Sequence, residues 1–283
     1  MDGRGVRRAV GRLFPIVLLL TLALALAYVV VPLVAIFLHV PLRELFAALK
    51  SDVAVDALIV TAKTSLISQA FILSVGTPAA YALATRRFRG RSVLVTLFEL
   101  PIVLPPAVAG IALLVTFGRL GLLGGTLDAA GISIGFTQAA VVMAVIFVAG
   151  PFYVRGAIAA FEAVDPTLLA ASRTLGAGPG RTFRRVALPL ARSGLAAAAA
   201  ISFARGVGEF GATLFFAGSL QGVTQTLSLG IYAQLDVDFN VALALSAMLV
   251  VISAVVLFGI KFMPSWTRFV STSLSGSAHS TSS

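Results

Sequence analysis

Cysteine is absent from this 283-residue chain, which excludes disulfides, thiolate metal sites and a cysteine nucleophile. Histidine is nearly absent too. His39 and His279 are far apart, and no His/carboxylate cluster offers metal-ligand spacing. Charge is scarce: 11% of residues are charged and 59% hydrophobic, with a mean hydropathy of +1.03. Soluble domains carry about 25% charged residues, so the composition predicts an all-α integral membrane protein. Facing spans carry no nucleophile–base pair, which leaves an intramembrane enzyme nothing to work with. There is no internal repeat of the kind common in secondary transporters. A secondary transporter is therefore kept only as an alternative.

Six apolar runs reach the roughly 20 residues that cross a bilayer: 14–38, 57–84, 93–117, 137–160, 195–217 and 241–262. Arg7, Arg8 and Arg12 precede the first run, as in a signal peptide. That run exceeds the signal core of about 7–15 residues, so it is read as a transmembrane helix. Positive charge is uneven between loops. Arg4, Arg7, Arg8 and Arg12 precede the first span, and Arg86, Arg87, Arg89 and Arg91 follow the second. Arg173, Arg181, Arg184, Arg185 and Arg192 lie between the fourth and fifth, and Lys261 and Arg268 end the sixth. The alternate loops hold Arg43, Lys50 and Arg119. The positive-inside rule then puts both termini in the cytoplasm. The net charge of +10 thus reflects topology, not nucleic-acid binding. The expected organisation is an N-terminal segment, residues 1–56, with the first span and an external loop, then a core 57–262 with a cytoplasmic loop 161–193. A Ser-rich tail 263–283 is expected to be disordered.

Within that loop, residues 173–189 read RTLGAGPGRTFRRVALP. A phosphate-binding loop needs G-x-x-x-x-G-K-[ST] between a strand and a helix. Counting back from Gly180, the first glycine position holds Leu175, the lysine position holds Arg181, and no strand precedes. A nucleotide site is excluded. Local chemistry predicts helix–turn–helix instead. Asp165 is an N-cap, Pro166 a first helical residue, and Gly176 a left-handed C′ residue. A second short helix follows, interrupted by Pro189 ahead of the fifth span. The first helix carries Leu168, Leu169 and Leu175 as knobs beside small Ala170, Ala171 and Ser172. It suits either a partner's groove or an interfacial position among lipid head groups, which remain equal on physics alone.

The spacing Gly176, nine residues, Val186, one residue, Leu188-Pro189 resembles the loop signature of permeases in binding-protein-dependent ABC importers. The family's signature begins Glu-Ala-Ala. Here Ala170-Ala171-Ser172 stands there, so the glutamate is missing, while Arg173-Thr174-Leu175-Gly176-Ala177 has the usual form. The segments 76–91 and 100–110 look like the second and third spans of molybdate permeases. Residues 203–232 are the most specific match: Gly208-Glu209-Phe210-Gly211-Ala212-Thr213, then Thr224-Gln225-Thr226-Leu227. Sulfate permeases more often have Gly-Glu-Tyr-Gly-Ser. Ser219, Gln221 and Ser228 depart from the molybdate form, where Asn, Pro and Pro are usual.

The resemblance implies a type I ABC importer permease with six transmembrane helices, in the cell membrane, acting as a homodimer. It implies transport of molybdate, with tungstate undistinguished and a sulfate or thiosulfate permease as the alternative. Partners would be a cytoplasmic ABC ATPase dimer, which holds ATP-Mg, and an extracytoplasmic molybdate-binding protein. The chain itself would hold no cofactor and be no enzyme. The residues implied to couple to the ATPase are Leu168, Leu169, Ala170, Ala171, Ser172, Arg173, Leu175, Gly176, Ala177 and Pro189.

In the fifth span Arg205 and Glu209 stand at i, i+4 and can pair. With Gly208, Phe210, Gly211 and Thr213 they are candidates for the translocation path or gate, against the alternative of a pair that only fixes packing. Glu99 is expected to bridge to the basic loop 86–91. Lys63 is expected to snorkel outward. Thr64, Ser65 and Ser68 offer hydroxyls either to an oxyanion or to backbone carbonyls. Pro101, Pro105 and Pro106 should kink the third span.

Overall fold

The computed structural model describes residues 3–39 and 42–261. The tail expected at 263–283 lies outside the described residues. These fold into thirteen α-helices, with no strand among them. In chain order they are α1 (Gly3–His39), α2 (Leu42–Leu49), α3 (Asp52–Thr85), α4 (Arg91–Val103), α5 (Pro106–Phe117) and α6 (Gly124–Ala129). There follow α7 (Gln138–Glu162), α8 (Pro166–Thr174), α9 (Pro179–Thr182), a π-helical turn (Phe183–Ala187) and α10 (Leu188–Val207). The described residues end with α11 (Gly211–Ala217), α12 (Leu227–Gln234) and α13 (Phe239–Lys261). Five stretches are long and apolar enough to span a bilayer: Phe14–His39, Asp52–Thr85, Gln138–Glu162, Pro179–Val207 and Phe239–Gly259. The pair α4–α5, bent by 112°, is a sixth candidate.

Two predicted spans differ in form. The third is not a kinked helix but two helices. Leu104 takes ψ 136° ahead of Pro105, and Pro105 takes ψ 133° ahead of Pro106. A proline ring disfavours the helical region for the residue before it. Here two such residues in succession end one helix and start another, whereas Leu100 ahead of Pro101 stays within α4. The fifth begins earlier and stops sooner than 195–217, because α10 ends at Val207 and a non-helical link precedes α11. Pro189 does not interrupt the chain's entry into that span. The π turn widens the helix before it, with the Leu188 N–H donating to the Phe183 carbonyl five residues back, so the ring is accommodated without a break.

The core is centred on α7, packed between α3 and α10. Lipid tails are as apolar as leucine, so close packing and interhelical hydrogen bonds must hold these helices together. A Cβ on Gly156 would lie 2.6 Å from that of Ala198, and one on Gly194 2.6 Å from that of Ala160. Across that α7–α10 seam Ser202 donates to Ala149 O (2.9 Å). Between α3 and α10 Gln69 Nε2 donates to Ala199 O (3.1 Å), while the Ser68 hydroxyl of α3 lies 3.2 Å from Val142 O of α7. Such bonds contribute about 0.6 kcal/mol each on average.

The short helices α5 and α11 lie side by side in the same direction, starting together where Gly211 meets Pro106. A Cβ on Gly110 would stand 2.7 Å from the Ala212 carbonyl oxygen, a backbone atom that cannot swing away. Gly110→Ala should therefore destabilise the detergent-solubilised protein by about 1–3 kcal/mol, seen as a lower melting temperature. Gly125→Ala, where nothing lies within 4 Å, should melt as the parent does or slightly higher.

Candidate functional site

The loop between α7 and α10 is built by its local chemistry as the sequence predicts. Asp165 accepts from the Thr167 backbone N–H at 2.8 Å and from its hydroxyl at 2.7 Å. Both bonds hold the Asp165 carboxyl below its ordinary pKa. The cap is thus complete at neutral pH and is lost only as pH falls through that lowered value. At the other end Gly176 takes φ +81°. Its N–H donates to Arg173 O (2.9 Å), and the Ala177 N–H donates to Ser172 O (3.1 Å), the paired bonds of a Schellman C-cap. The α8 and α9 arms are joined by Ser172 and the buried Thr182, whose hydroxyls lie 3.1 Å apart.

The expected coupling residues divide into two groups. Leu168, Ala170, Ala171, Arg173, Leu175, Gly176 and Pro189 are exposed, and Ser172 and Ala177 are half-buried. Leu175 is 87% exposed. Leu169 is not offered outward. It is buried in the chain's own core with Phe161, Val164, Ala187 and Ala191. The two adjacent leucines have opposite duties because about 100° separates neighbours on a helix. A groove lined by Leu168, Ala171, Leu175, Val186 and Pro189, with Arg181 and Arg185 at its edge, runs along the exposed side.

The second cluster lies at the α10–α11 break. Glu209 is buried and outside both helices. Its Oε1 accepts the Ala212 N–H at 2.7 Å, and Oε2 lies 2.7 Å from Arg205 Nη1, an ion pair formed off the guanidinium N–H direction. The carboxylate therefore satisfies an orphan donor at the start of α11, where negative charge is favoured. Thr213 is buried and donates to Phe210 O at 2.8 Å. Phe210 is half-buried against Tyr232, Gly208 is exposed, and Gly211 abuts Pro106.

Other hydroxyls are engaged too. Thr64 donates to Val60 O and Ser68 to Thr64 O, both at 2.7 Å, leaving neither as a free donor. Ser65 is buried and Lys63 exposed on α3. Thr226 caps α12, and the buried Thr61 accepts the Leu227 N–H at 2.8 Å. The 224–227 segment is thereby pinned to α3. Glu99 does not bridge to the loop 86–91. It pairs with Arg155 of α7 at 3.5 Å, while Arg91 pairs with Glu162. Sequence reasoning gave Arg155 no role, since the α4–α7 pairing that finds it is not local.

Arg205→Ala should strand a buried carboxylate and destabilise the protein by about 3–5 kcal/mol. Glu209→Gln, which retains an acceptor for Ala212, should cost less. In a melting-temperature cycle, the Arg205→Ala/Glu209→Ala double change should cost clearly less than the two single changes summed. Additivity would refute the coupling.

Comparison with known proteins follows the same lines. Residues 72–269 match the family described as binding-protein-dependent transport system inner membrane component. The molybdenum transport system permease protein ModB of Mycobacterium tuberculosis is 46% identical over 237 residues, covering 83% of this chain and 89% of that protein. The sulfate transport system permease protein CysT of Salmonella typhimurium is 34% identical over 220 residues, covering 76% and 79%. A chain of a bacterial ABC transporter involved in the import of alginate shares the fold with a TM-score of 0.71. It is 16% identical, with coverage of 90% of this chain and 96% of that one. The loop, the helix plan and these likenesses agree: this chain belongs to the inner-membrane components of binding-protein-dependent transport systems, as a multi-pass membrane permease.

Proposed function

We propose that this chain is the permease subunit of an ABC importer that carries molybdate into the cytoplasm, with tungstate as a chemically equivalent cargo. The observation that carries the substrate is the 46% identity to a molybdenum permease, against 34% to a sulfate permease. A tetrahedral dianion cannot cross about 30 Å of hydrocarbon unaided, because stripping its water is prohibitive. Two copies of the chain enclose a polar path, and an extracytoplasmic molybdate-binding protein delivers the anion to it. The arginine distribution supports placing both termini, and the loop carrying α8 and α9, in the cytoplasm. Hydrolysis of ATP-Mg occurs on a separate dimeric ATPase, so the permease is no enzyme and holds no cofactor of its own.

Coupling follows from how the loop is attached. Leu168 and Leu175 stand outward for a groove on the ATPase, while Leu169 fastens the same helix into the bases of α7 and α10. A displacement of α8 by the ATPase therefore moves those spans with it. The hydroxyl contact between Ser172 and Thr182 makes the two arms of the loop move together.

In proteoliposomes containing permease, ATPase and binding protein, ATP should drive molybdate uptake. Sulfate uptake in its place would favour the sulfate reading. Leu175→Asp should leave the melting temperature unchanged and abolish binding to the ATPase or uncouple it. Leu169→Asp buries a charge and should cost more than about 3 kcal/mol in stability. Gly176→Val should strain the φ +81° turn by about 1–3 kcal/mol and reduce uptake, with Gly176→Asn milder. Normal uptake by both Leu175→Asp and Gly176→Val would remove the loop from the coupling path.

A further inference from the structure

Two ion pairs connect α4 to α7, and they differ in depth. Arg91 and Glu162 join the ends of the helices. Glu99 lies eight residues inside α4 from Arg91, and Arg155 seven residues inside α7 from Glu162. At 1.5 Å per residue both stand about 10–12 Å deeper along the helices. The inner pair is not enclosed: the Arg155 side chain is 68% exposed and that of Glu99 38% exposed. Charges at such depth face a protein interior or a water-filled cavity far more often than lipid.

A second observation concerns α4 alone. From Ser92 to Val103 its only polar residues are Ser92, Thr96 and Glu99, spaced i, i+4 and i+7. They form one stripe on a helix that is otherwise apolar and has no fully buried residue. Ser92 and Thr96 are exposed. Thus the polar stripe runs from the end of α4 up to the inner ion pair, beside α7.

We propose that Ser92, Thr96, Glu99 and Arg155 line a water-accessible inner stretch of the oxyanion path, with Arg155 supplying positive charge toward the passing dianion. This rests on the anion-import reading above. Glu99 holds the guanidinium in position and limits its net charge, so that the anion is attracted without being retained. Arg155 is a path residue, and Glu99 a positioning residue.

The chain has no cysteine, so single cysteines can be placed without background. Thr96→Cys lies on the polar stripe. Leu94→Cys lies at nearly the same depth on the opposite face of α4. In inside-out proteoliposomes of the full complex, a membrane-impermeant anionic methanethiosulfonate should modify Thr96→Cys at least about tenfold faster than Leu94→Cys. A charged cleft concentrates counter-ions by about tenfold or more. Adding Arg155→Gln should therefore reverse most of the preference of Thr96→Cys for the anionic over a cationic reagent, and Arg155→Lys should restore it. A merely structural ion pair would not move that ratio. Arg155→Gln should also lower molybdate uptake several-fold without lowering the folded yield equally. Equal labelling of the two cysteines, or a reagent preference indifferent to Arg155, would overturn the proposal. If the labelling pattern holds while the parent complex fails to import molybdate, the lining stands and the molybdate reading falls.

Discussion

A broken helix inside a bilayer leaves backbone groups that hydrocarbon cannot satisfy, and two such breaks meet in this molecule. At one, Pro105 and Pro106 remove the donors themselves, since proline has no N–H. At the other, the Glu209 carboxylate accepts the Ala212 N–H, and Arg205 balances its charge. The two helices that follow, α5 and α11, start side by side because Gly211 brings no side chain against Pro106. Two positive helix ends placed together repel, and the Glu209 anion beside them offsets that repulsion. The rest of the fold depends on this arrangement. It lets α10 stop short and gives α5 a partner within the bundle.

Much of the architecture was legible in the sequence because its signals are local. Asp165-Pro166 opens a helix and Gly176 closes it through bonds spanning two to five residues, so neighbours along the chain suffice to predict them. The 105–106 prolines announced a disruption, but not that it would reach 112°. That angle depends on α5 turning to meet α11, a contact between segments far apart in sequence. The fifth span was harder. Arg205 and Glu209 are spaced to pair on a continuous helix, and they pair equally well across a helix end, so the spacing could not reveal the break.

Side-chain allocation was less legible than backbone form. Leu168 and Leu169 are identical in type and adjacent, yet one is exposed and the other buried, and only the docking angle of α8 decides which. Glu99 had several candidate partners on the basic side of the membrane. Its actual partner, Arg155, is set by the antiparallel register of α4 on α7, which the Arg91–Glu162 pair also reports. Hydroxyls on α3 looked equally suited to an anion or to the helix itself. Backbone carbonyls took Thr64 and Ser68, because a carbonyl four residues back is always within reach.

The strength of attachment also varies around the bundle, and this bears on how a push at the loop is transmitted. Near the loop, Tyr81 of α3 packs on Phe161 of α7 and on Phe183 of the π turn, with ring centroids 5.3 and 4.8 Å apart. Leu169 belongs to the same cluster. A displacement of α8 is therefore shared at once by three elements, since close-packed interiors transmit strain rather than absorb it. Helix α4 differs: it has no fully buried residue, and two side-chain ion pairs tie it to α7. Partly exposed ion pairs contribute little and can exchange partners or water at small cost. Helix α4 is thus held on α7 less by burial than α3 and α10 are, with only Val95 packed on the core cluster and the Arg91 Nε donating to Leu83 O of α3 beside those two pairs.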